Sequence, residues 1–233
     1  MPPVGHTAQL CRTDDELVDS AVAFLRTGAE QGLPGVVLAT APHRAAIRQA
    51  VGGRLIEADA DETLAQILID GKPSKTLFEQ VAGSLIDTAG GPVYAYGELV
   101  SLLCERGEVA AAMELEELWN ALIAERPVTL HCGYHLDVFD LATQTGPLPH
   151  ICRLHTQVAP AKDEARFSAA VERALTNVLG HERARDVYYI VSRVRKQRAP
   201  VAQEALRWLS TTMPRQAPDV LQAARQQYSG LRV

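Results

Sequence analysis

The chain lacks any apolar run of the roughly 20 residues needed to cross a bilayer. Its first residues also lack the basic stretch and apolar core of a secretory signal. Its four cysteines include no closely spaced pair, so we expect thiols rather than disulfides. These absences predict a soluble, cytoplasmic protein with no membrane partner.

A phosphate-binding loop is missing where a nucleotide-binding fold would need one. After the buried run at residues 36–38, the segment 39–47 contains neither the glycines nor the Lys-Ser/Thr pair of a P-loop. Without them the backbone amides cannot surround a phosphate and its charge is unmatched, so we do not expect ATP hydrolysis. Pro42 suits the first turn of a helix, whose free amides could still hold an anion with help from His43 and Arg44.

The chain has 233 residues, of which 47% are hydrophobic and 22% charged. It is long enough to form one core plus an appendage, or two small domains. Residues 1–162 carry 11 Lys/Arg and 21 Asp/Glu, whereas residues 163–233 carry 12 and 7. The body is therefore acidic and the tail basic. A basic tail can contact nucleic acid, an acidic partner or the body, or simply present a solvated helix face.

Apolar runs alternate with segments of helical spacing. The runs lie at residues 35–40, 55–58, 92–96 and 128–132. This alternation predicts an α/β fold with a mainly parallel sheet. The first helix should begin at Thr13, with Glu16 at the capping-box spacing, and end near Gly28 or Gly32.

A second helix is predicted over residues 108–124. At 100° per residue, one stripe faces the core; it contains Ala111, Leu115, Leu118, Trp119 and Leu122. Glu114 and Glu116 flank that stripe, where a carboxylate is usually solvated but can line the edge of a pocket.

The remainder is predicted to be helical, with breaks at Gly180, Pro200 and Pro214. We therefore divide the chain into a domain at 1–160 and an all-helical C-terminal module at 161–233, for oligomerisation or output. A basic cluster ends one of these helices, where cations are favoured without any DNA; its members are Arg193, Arg195, Lys196 and Arg198.

Three sequence blocks point to a known family: AYGELV at 95–100, LEELWN at 115–120 and LHCGY at 130–134. They are accompanied by His6, APHR at 41–44, DGKP at 70–73 and ICRLH at 151–155. In this order they resemble the MEDS domain, the methanogen/methylotroph DcmR-like sensory domain, over about residues 5–158.

The resemblance implies a three-layer RecA/KaiC-like fold, with a mainly parallel sheet, that has lost its P-loop. It also implies a sensor of small organic molecules, particularly hydrocarbon derivatives, acting in transcriptional or two-component signalling. Such a protein needs no cofactor and is not an enzyme. Its partners would be the small molecule and either a second copy of the chain or a signalling protein.

Eight residues are candidates for ligand binding: His6, His43, Tyr96, Glu98, Glu116, Trp119, Tyr134 and His155. Glu98 ends a buried strand, where ligand crevices form, but a carboxylate there can instead cap the next helix. Tyr134 is either a pocket wall or a half-buried tyrosine bonded to backbone, and Trp119 lies on the core stripe.

Metal binding and cysteine catalysis are not predicted. His131, Cys132, His150, Cys152 and His155 are zinc-type ligands, but their spacing is not that of a zinc finger, and His131 and Cys132 should point to opposite faces of a strand. No base can be assigned to any thiol. Two other functions stay open: a DNA-binding repressor that uses the basic tail, and an enzyme with a nonstandard site around Glu98.

Overall fold

A computed structural model describes residues 5–193 and 198–230. The chain divides into two compact units. The first contains residues up to 136 together with 154–156, and the second contains 137–153 and residues from 157 onward. The predicted boundary lay at 160. Residues 137–153 group with the tail because Phe139 packs against Phe167 and Tyr228 there, with ring centroids 5.4 and 5.6 Å away.

The first unit is an α/β domain. Its strands are β1 Gly5–Cys11, β2 Gly35–Ala39, β3 Leu55–Asp59, β4 Leu68–Ile69, β5 Lys72–Pro73, β6 Val93–Gly97 and β7 Val128–His135. Its helices are α1 Asp14–Glu30, α2 Ala41–Ala50, α3 Ala60–Ile67, α4 Lys75–Phe78, α5 Ser84–Asp87, α6 Leu99–Glu105 and α7 Val109–Glu125, with a π-helical turn at Glu79–Gly83 between α4 and α5.

Within this unit the main strands follow the order β3-β2-β6-β7-β1, and every neighbouring pair is parallel. β2 and β6 are buried along their whole length, as expected for central parallel strands. The predicted α/β class, the parallel sheet and the four predicted strands are confirmed.

Strand β1 was not predicted. It pairs with β7 along its full length, from Gly5 opposite Thr129 to Cys11 opposite His135. The sequence His-Thr-Ala-Gln-Leu alternates small and polar residues instead of forming an apolar run, so it gave no strand signal. The first buried strand is therefore β1, and the turn that follows it leads into α1.

Helix α1 covers one face of the sheet and α7 the other. Thr13 caps α1 by accepting a hydrogen bond from the Glu16 amide (3.2 Å), while the Glu16 carboxylate accepts from the amide of Arg12 (2.7 Å). The helix buries Leu17, Ala21 and Leu25, which recur every four residues along one face. The core-facing stripe predicted on the helix at 108–124, which is α7, is also confirmed, except that Leu118 is only half-buried.

The second unit is almost entirely helical in the part that the structure describes. It contains α8 Leu141–Thr145, α9 Pro147–Leu154, the short strand β8 Gln157–Val158, α10 Glu164–Leu179, α11 His181–Ser192, α12 Val201–Thr212 and α13 Ala217–Gly230. Gly180 separates α10 from α11 with a φ of 84°, which favours glycine. The predicted helical C-terminal region is confirmed.

Part of the predicted basic cluster lies outside the described residues, namely Arg195 and Lys196. Arg193 stacks on the ring of Tyr189, 4.4 Å from its centroid. Arg198 donates to the carbonyl of Cys152 at 3.2 Å. Among the described residues, no helix is both long enough and apolar enough to span a membrane.

Candidate functional site

Glu98 lies at the carboxyl end of the sheet, directly after β6. Its side chain is 2% exposed. The carboxylate accepts hydrogen bonds from the Tyr96 hydroxyl (2.9 Å) and the Thr40 amide (3.1 Å), and its Oε1 lies 2.9 Å from Nδ1 of His43. Glu98 occupies the N-cap position of α6, but its side chain makes no capping hydrogen bond there. Glu98 instead joins β6 to the start of α2.

Two local features place these partners. Thr40 precedes α2 and Pro42 occupies its first turn, so the free amide of Thr40 points toward Glu98. Gly133 of β7 makes room for Tyr96, because a Cβ at that position would lie 2.4 Å from the Tyr96 hydroxyl oxygen. A glycine on β7 therefore allows the Tyr96 ring to reach Glu98.

The anion site at the start of α2 stays a prediction, but the side chains that would assist it are already paired. The Glu98 carboxylate already occupies the Thr40 amide and the His43 imidazole, and Arg44 is paired with Asp59 at 2.8 Å. The hydrogen bond to Glu98 raises the pKa of His43 above its ordinary value of 6.5, against the opposing effect of burial. An internal carboxylate thus competes with an external anion at this helix start.

An open cleft of about 290 Å³ lies beside Glu98. Its polar lining includes the carboxylates of Asp14, Glu98 and Glu105 and the imidazoles of His43 and His135. Its apolar lining comes from Leu17, Pro42 and Leu102. Oδ1 of Asp14 lies 3.6 Å from Nε2 of His43 and 3.9 Å from Nδ1 of His135. The cleft therefore combines carboxylates, imidazoles and apolar surface in a small volume.

A second cluster forms on the opposite face of the sheet, under α7, and its centre is Glu116. This side chain is 0% exposed, so the expectation that it would be solvated at the helix border is wrong. Its Oε2 lies 3.1 Å from Nε2 of His6, its Oε1 lies 3.4 Å from Nε2 of His155, and it accepts a hydrogen bond from the Tyr134 hydroxyl. Nε2 of His6 also lies 3.2 Å from Sγ of Cys132.

The electrostatics of this second cluster follow from burial and proximity. Burial alone would raise the pKa of the Glu116 carboxyl, but the imidazoles of His155 and His6 outweigh it and hold that pKa well below its usual range. Burial and the Glu116 charge together raise the pKa of Tyr134 well above its ordinary value, so its hydroxyl stays protonated and donates. The Glu116 carboxylate therefore accepts from the Tyr134 hydroxyl and lies beside the imidazoles of His6 and His155.

His131 belongs to neither cluster, and it points to the opposite face from Cys132, as predicted. Its ring nitrogens lie 2.8 Å from the hydroxyls of Thr7 and Ser20, and it stacks on Phe24 at 4.9 Å. Burial lowers its pKa to about 4, so the ring is neutral at physiological pH. It serves as a satisfied core histidine under α1.

The eight predicted site residues therefore fall into three groups. His43, Tyr96 and Glu98 are connected beside the cleft, while the second cluster holds His6, Glu116, Tyr134 and His155. Trp119 is 1% exposed and packs edge-on against Phe78, with ring centroids 4.9 Å apart, so it is a core residue. His150 is exposed, and both His150 and Cys152 belong to the second unit.

Sequence reasoning missed several residues of these groups. Asp14, Glu105 and His135 line the cleft, and Asn120 lies against His6. Cys132, a zinc-type ligand that its spacing argued against, also lies against His6. Recognising β1 would have placed Asp14 at a strand end, next to the predicted ends of β6 and β7. The sequence carries no comparable signal for Asn120, which depends on how α7 is rotated.

These observations define a three-layer α/β domain with a carboxylate-lined cleft at the carboxyl ends of its parallel strands, followed by a helical region. The family comparison then identifies it: residues 5–156 match the MEDS family, the methanogen/methylotroph, DcmR sensory domain. The match covers more than half of the chain, so the chain belongs to this family of sensory domains and has a sensory or regulatory role. Neither the curated proteins nor the solved structures give a significant match.

Proposed function

We propose that this protein is a sensor that binds a small, neutral or cationic organic molecule in the cleft beside Glu98, and that it senses this molecule without converting it. The observation that carries the proposal is the buried Glu98 carboxylate at the floor of an open cleft of about 290 Å³. That volume is at the lower end of the range for ligand pockets, roughly 300–1,000 Å³, so it suits a small molecule.

The charges around the cleft support a ligand that donates hydrogen bonds. Three carboxylates face the imidazoles of His43 and His135. A hydroxyl or amine can donate to Glu98 or Asp14 while its alkyl part contacts Leu17 and Leu102. A phosphate or carboxylate ligand would meet like charges. This selection agrees with the sensing of hydrocarbon derivatives implied by the family resemblance.

The turn after β1 adds a further reason to disfavour nucleotides. It contains no glycine, and the first turn of α1 carries Asp14, Asp15 and Glu16. Acidic side chains at a helix start occupy the position that favours an anion, and they repel a polyphosphate. Both strand-to-helix turns, after β1 and after β2, are therefore unsuited to ATP.

A signal can arise from competition for Glu98. A ligand that donates to this carboxylate competes with the Thr40 amide and with His43, both at the start of α2. Binding would then favour an arrangement in which α2 is held differently from β6. Unequal affinity for two such arrangements is the requirement for a ligand to change the state of the protein. We propose that the C-terminal helices pass this state to a second copy of the chain or to a signalling partner.

The test is a thermal-shift screen of the full chain against small alcohols, amines and other hydrocarbon derivatives, with Mg-ATP and inorganic phosphate in parallel. A ligand at 100 times its Kd stabilises the folded protein by about 2.7 kcal/mol, which should raise its melting temperature by several degrees. Neutral or cationic compounds should produce such shifts. Stabilisation by Mg-ATP alone would contradict the proposal.

The matched variants are Leu102→Trp and Ile69→Trp. Leu102 lines the cleft, so an indole there should fill it and abolish the shift. Ile69 is 55% exposed on the β4–β5 hairpin, so the same side chain there should leave the shift unchanged. A hit that survives Leu102→Trp in a protein with wild-type circular dichroism would place the ligand elsewhere.

A further inference from the structure

We propose that His6, Glu116, Cys132 and His155 form a closed site for one Zn²⁺ ion, a site that the sequence spacing did not predict. Each residue offers one donor atom, and the four donor atoms all lie within 4.8 Å of one another. They come from β1, α7, β7 and the residue after α9. The two imidazoles, one thiol and one carboxylate are the ligand types that zinc binds in proteins.

The distances are close to those of a tetrahedral site. Bonds of about 2.0–2.3 Å place tetrahedral donor atoms about 3.3–3.8 Å apart. Nε2 of His6 lies 3.1 Å from Oε2 of Glu116 and 3.2 Å from Sγ of Cys132, and Nε2 of His155 lies 3.4 Å from Oε1 of Glu116. Side-chain torsion changes that open these three distances by a few tenths of an ångström, and that bring together the donor atoms lying up to 4.8 Å apart, would fit an ion.

Asn120 fixes which nitrogen of His6 faces the site. Its side-chain amide donates to the carbonyl of Leu154 at 3.0 Å, so its Oδ1 faces Nδ1 of His6, 3.1 Å away. Because Oδ1 only accepts, Nδ1 carries the hydrogen, and the lone pair of a neutral His6 is on Nε2. That lone pair points at a carboxylate oxygen and a sulfur. A second hydrogen-bonding partner of this kind is typical of histidines that bind metals.

The charge balance also favours a divalent ion. The four side chains are 0–1% exposed, so an unbalanced charge among them would be costly. An incoming Zn²⁺ displaces the Cys132 thiol proton to solvent, and the resulting thiolate and carboxylate with two neutral imidazoles carry a charge of −2, which the ion neutralises. The thiolate also disfavours Mg²⁺ and Ca²⁺, which prefer oxygen ligands. Four protein ligands leave no open position, so we assign a structural role, joining β1, β7 and α7.

The experiment uses the full chain, stripped with a chelator and titrated with Co²⁺ and Zn²⁺. We expect one equivalent of metal per chain, a visible Co²⁺ spectrum with a thiolate charge-transfer band, and a higher melting temperature with Zn²⁺. Cys132→Ser should remove that band and weaken Zn²⁺ binding by about 100-fold, near the upper end of the effects seen even for outer-shell partners. Cys11→Ser is the matched control, because Cys11 is a buried strand cysteine that is not one of the four proposed ligands. This variant should retain the thiolate band and the wild-type affinity for Zn²⁺.

Failure of the folded wild-type chain to bind either ion at micromolar concentration would overturn the proposal. Binding without a thiolate band, or unchanged binding in Cys132→Ser, would do the same. If Cys132→Ser does not fold, the wild-type spectrum and a His155→Gln variant, which should also bind Zn²⁺ more weakly, still decide the question. The zinc site and the cleft lie on opposite faces of the sheet, so either can fail without the other.

Discussion

Replacing Glu98 with glutamine tests whether this carboxylate holds the cleft together. The carboxylate accepts from the Tyr96 hydroxyl, the Thr40 amide and His43 while 2% exposed. A glutamine retains one acceptor oxygen, and its amide nitrogen must then face one of these donors. The variant is nearly identical in shape, so any loss of stability reports on the charge and on the hydrogen bonds.

The expected cost follows from the bonds that are lost. A hydrogen bond to a charged group contributes about 1.5–3 kcal/mol, and a buried donor left without an acceptor costs about 1–3 kcal/mol. One mismatched donor, together with weaker bonds to the others, should lower the free energy of unfolding of the first unit by about 2–5 kcal/mol. Ligand binding in the cleft should weaken as well, because the principal acceptor is lost.

The difference in unfolding free energy between wild type and Glu98→Gln should depend on pH through His43. The pKa of His43 is raised by its hydrogen bond to Glu98, so the protonated ring stabilises the folded state. That contribution is fully present below the unfolded value of about 6.5 and is lost as the pH rises through the higher pKa of the folded protein. The stability gap between wild type and Glu98→Gln should therefore be larger near pH 6 than near pH 9.

Urea denaturation of both proteins across this pH range measures the gap. Glu105→Gln is the matched control, because Glu105 lines the same cleft but is exposed. That change should alter stability by less than about 0.5 kcal/mol. If Glu98→Gln were as stable as Glu105→Gln, or if its deficit did not change with pH, the described role of Glu98 would be refuted.

Two further outcomes follow from packing and burial. Gly133→Ala should lower the free energy of unfolding by about 1–3 kcal/mol, because its Cβ would lie 2.4 Å from the Tyr96 hydroxyl oxygen. Gly97→Ala is the control, since its Cβ meets no atom within 4 Å. Equal denaturation midpoints for the two variants would contradict this prediction. Thiol reagents at pH 8 should label the native chain slowly and the unfolded chain at once, since burial raises the pKa of Cys11 and Cys104 to about 12 and that of Cys152 to about 11. Rapid labelling of the native protein would show that these thiols are accessible.

Local patterns in the sequence were sufficient for most secondary structure. The strands β2, β3, β6 and β7 were predicted because each is an apolar run between turn residues. Helix α1 was predicted because Thr13 and Glu16 mark its start and its apolar residues recur every three or four positions. Strand β1 was missed because its burial arises from pairing with β7, which short-range composition does not show.

The site residues were identified individually but not as two groups. Sequence order places His6 and Glu116 over a hundred residues apart and gives no sign that they touch. The helical wheel of α7 put Glu116 at the border of the apolar stripe, yet β1 and the residues after α9 cover that border and bury it. A pattern within one helix shows only which side faces the core, and neighbouring elements decide how wide the core is.

The sequence by itself determined the fold class, the absence of a P-loop and the family, because these depend on short segments and their order. Only the tertiary structure decided that Glu98 holds the start of α2 and that Glu116 lies among His6, Cys132 and His155. Those contacts depend on strand order and helix rotation. Both are set by packing between residues that are distant along the chain.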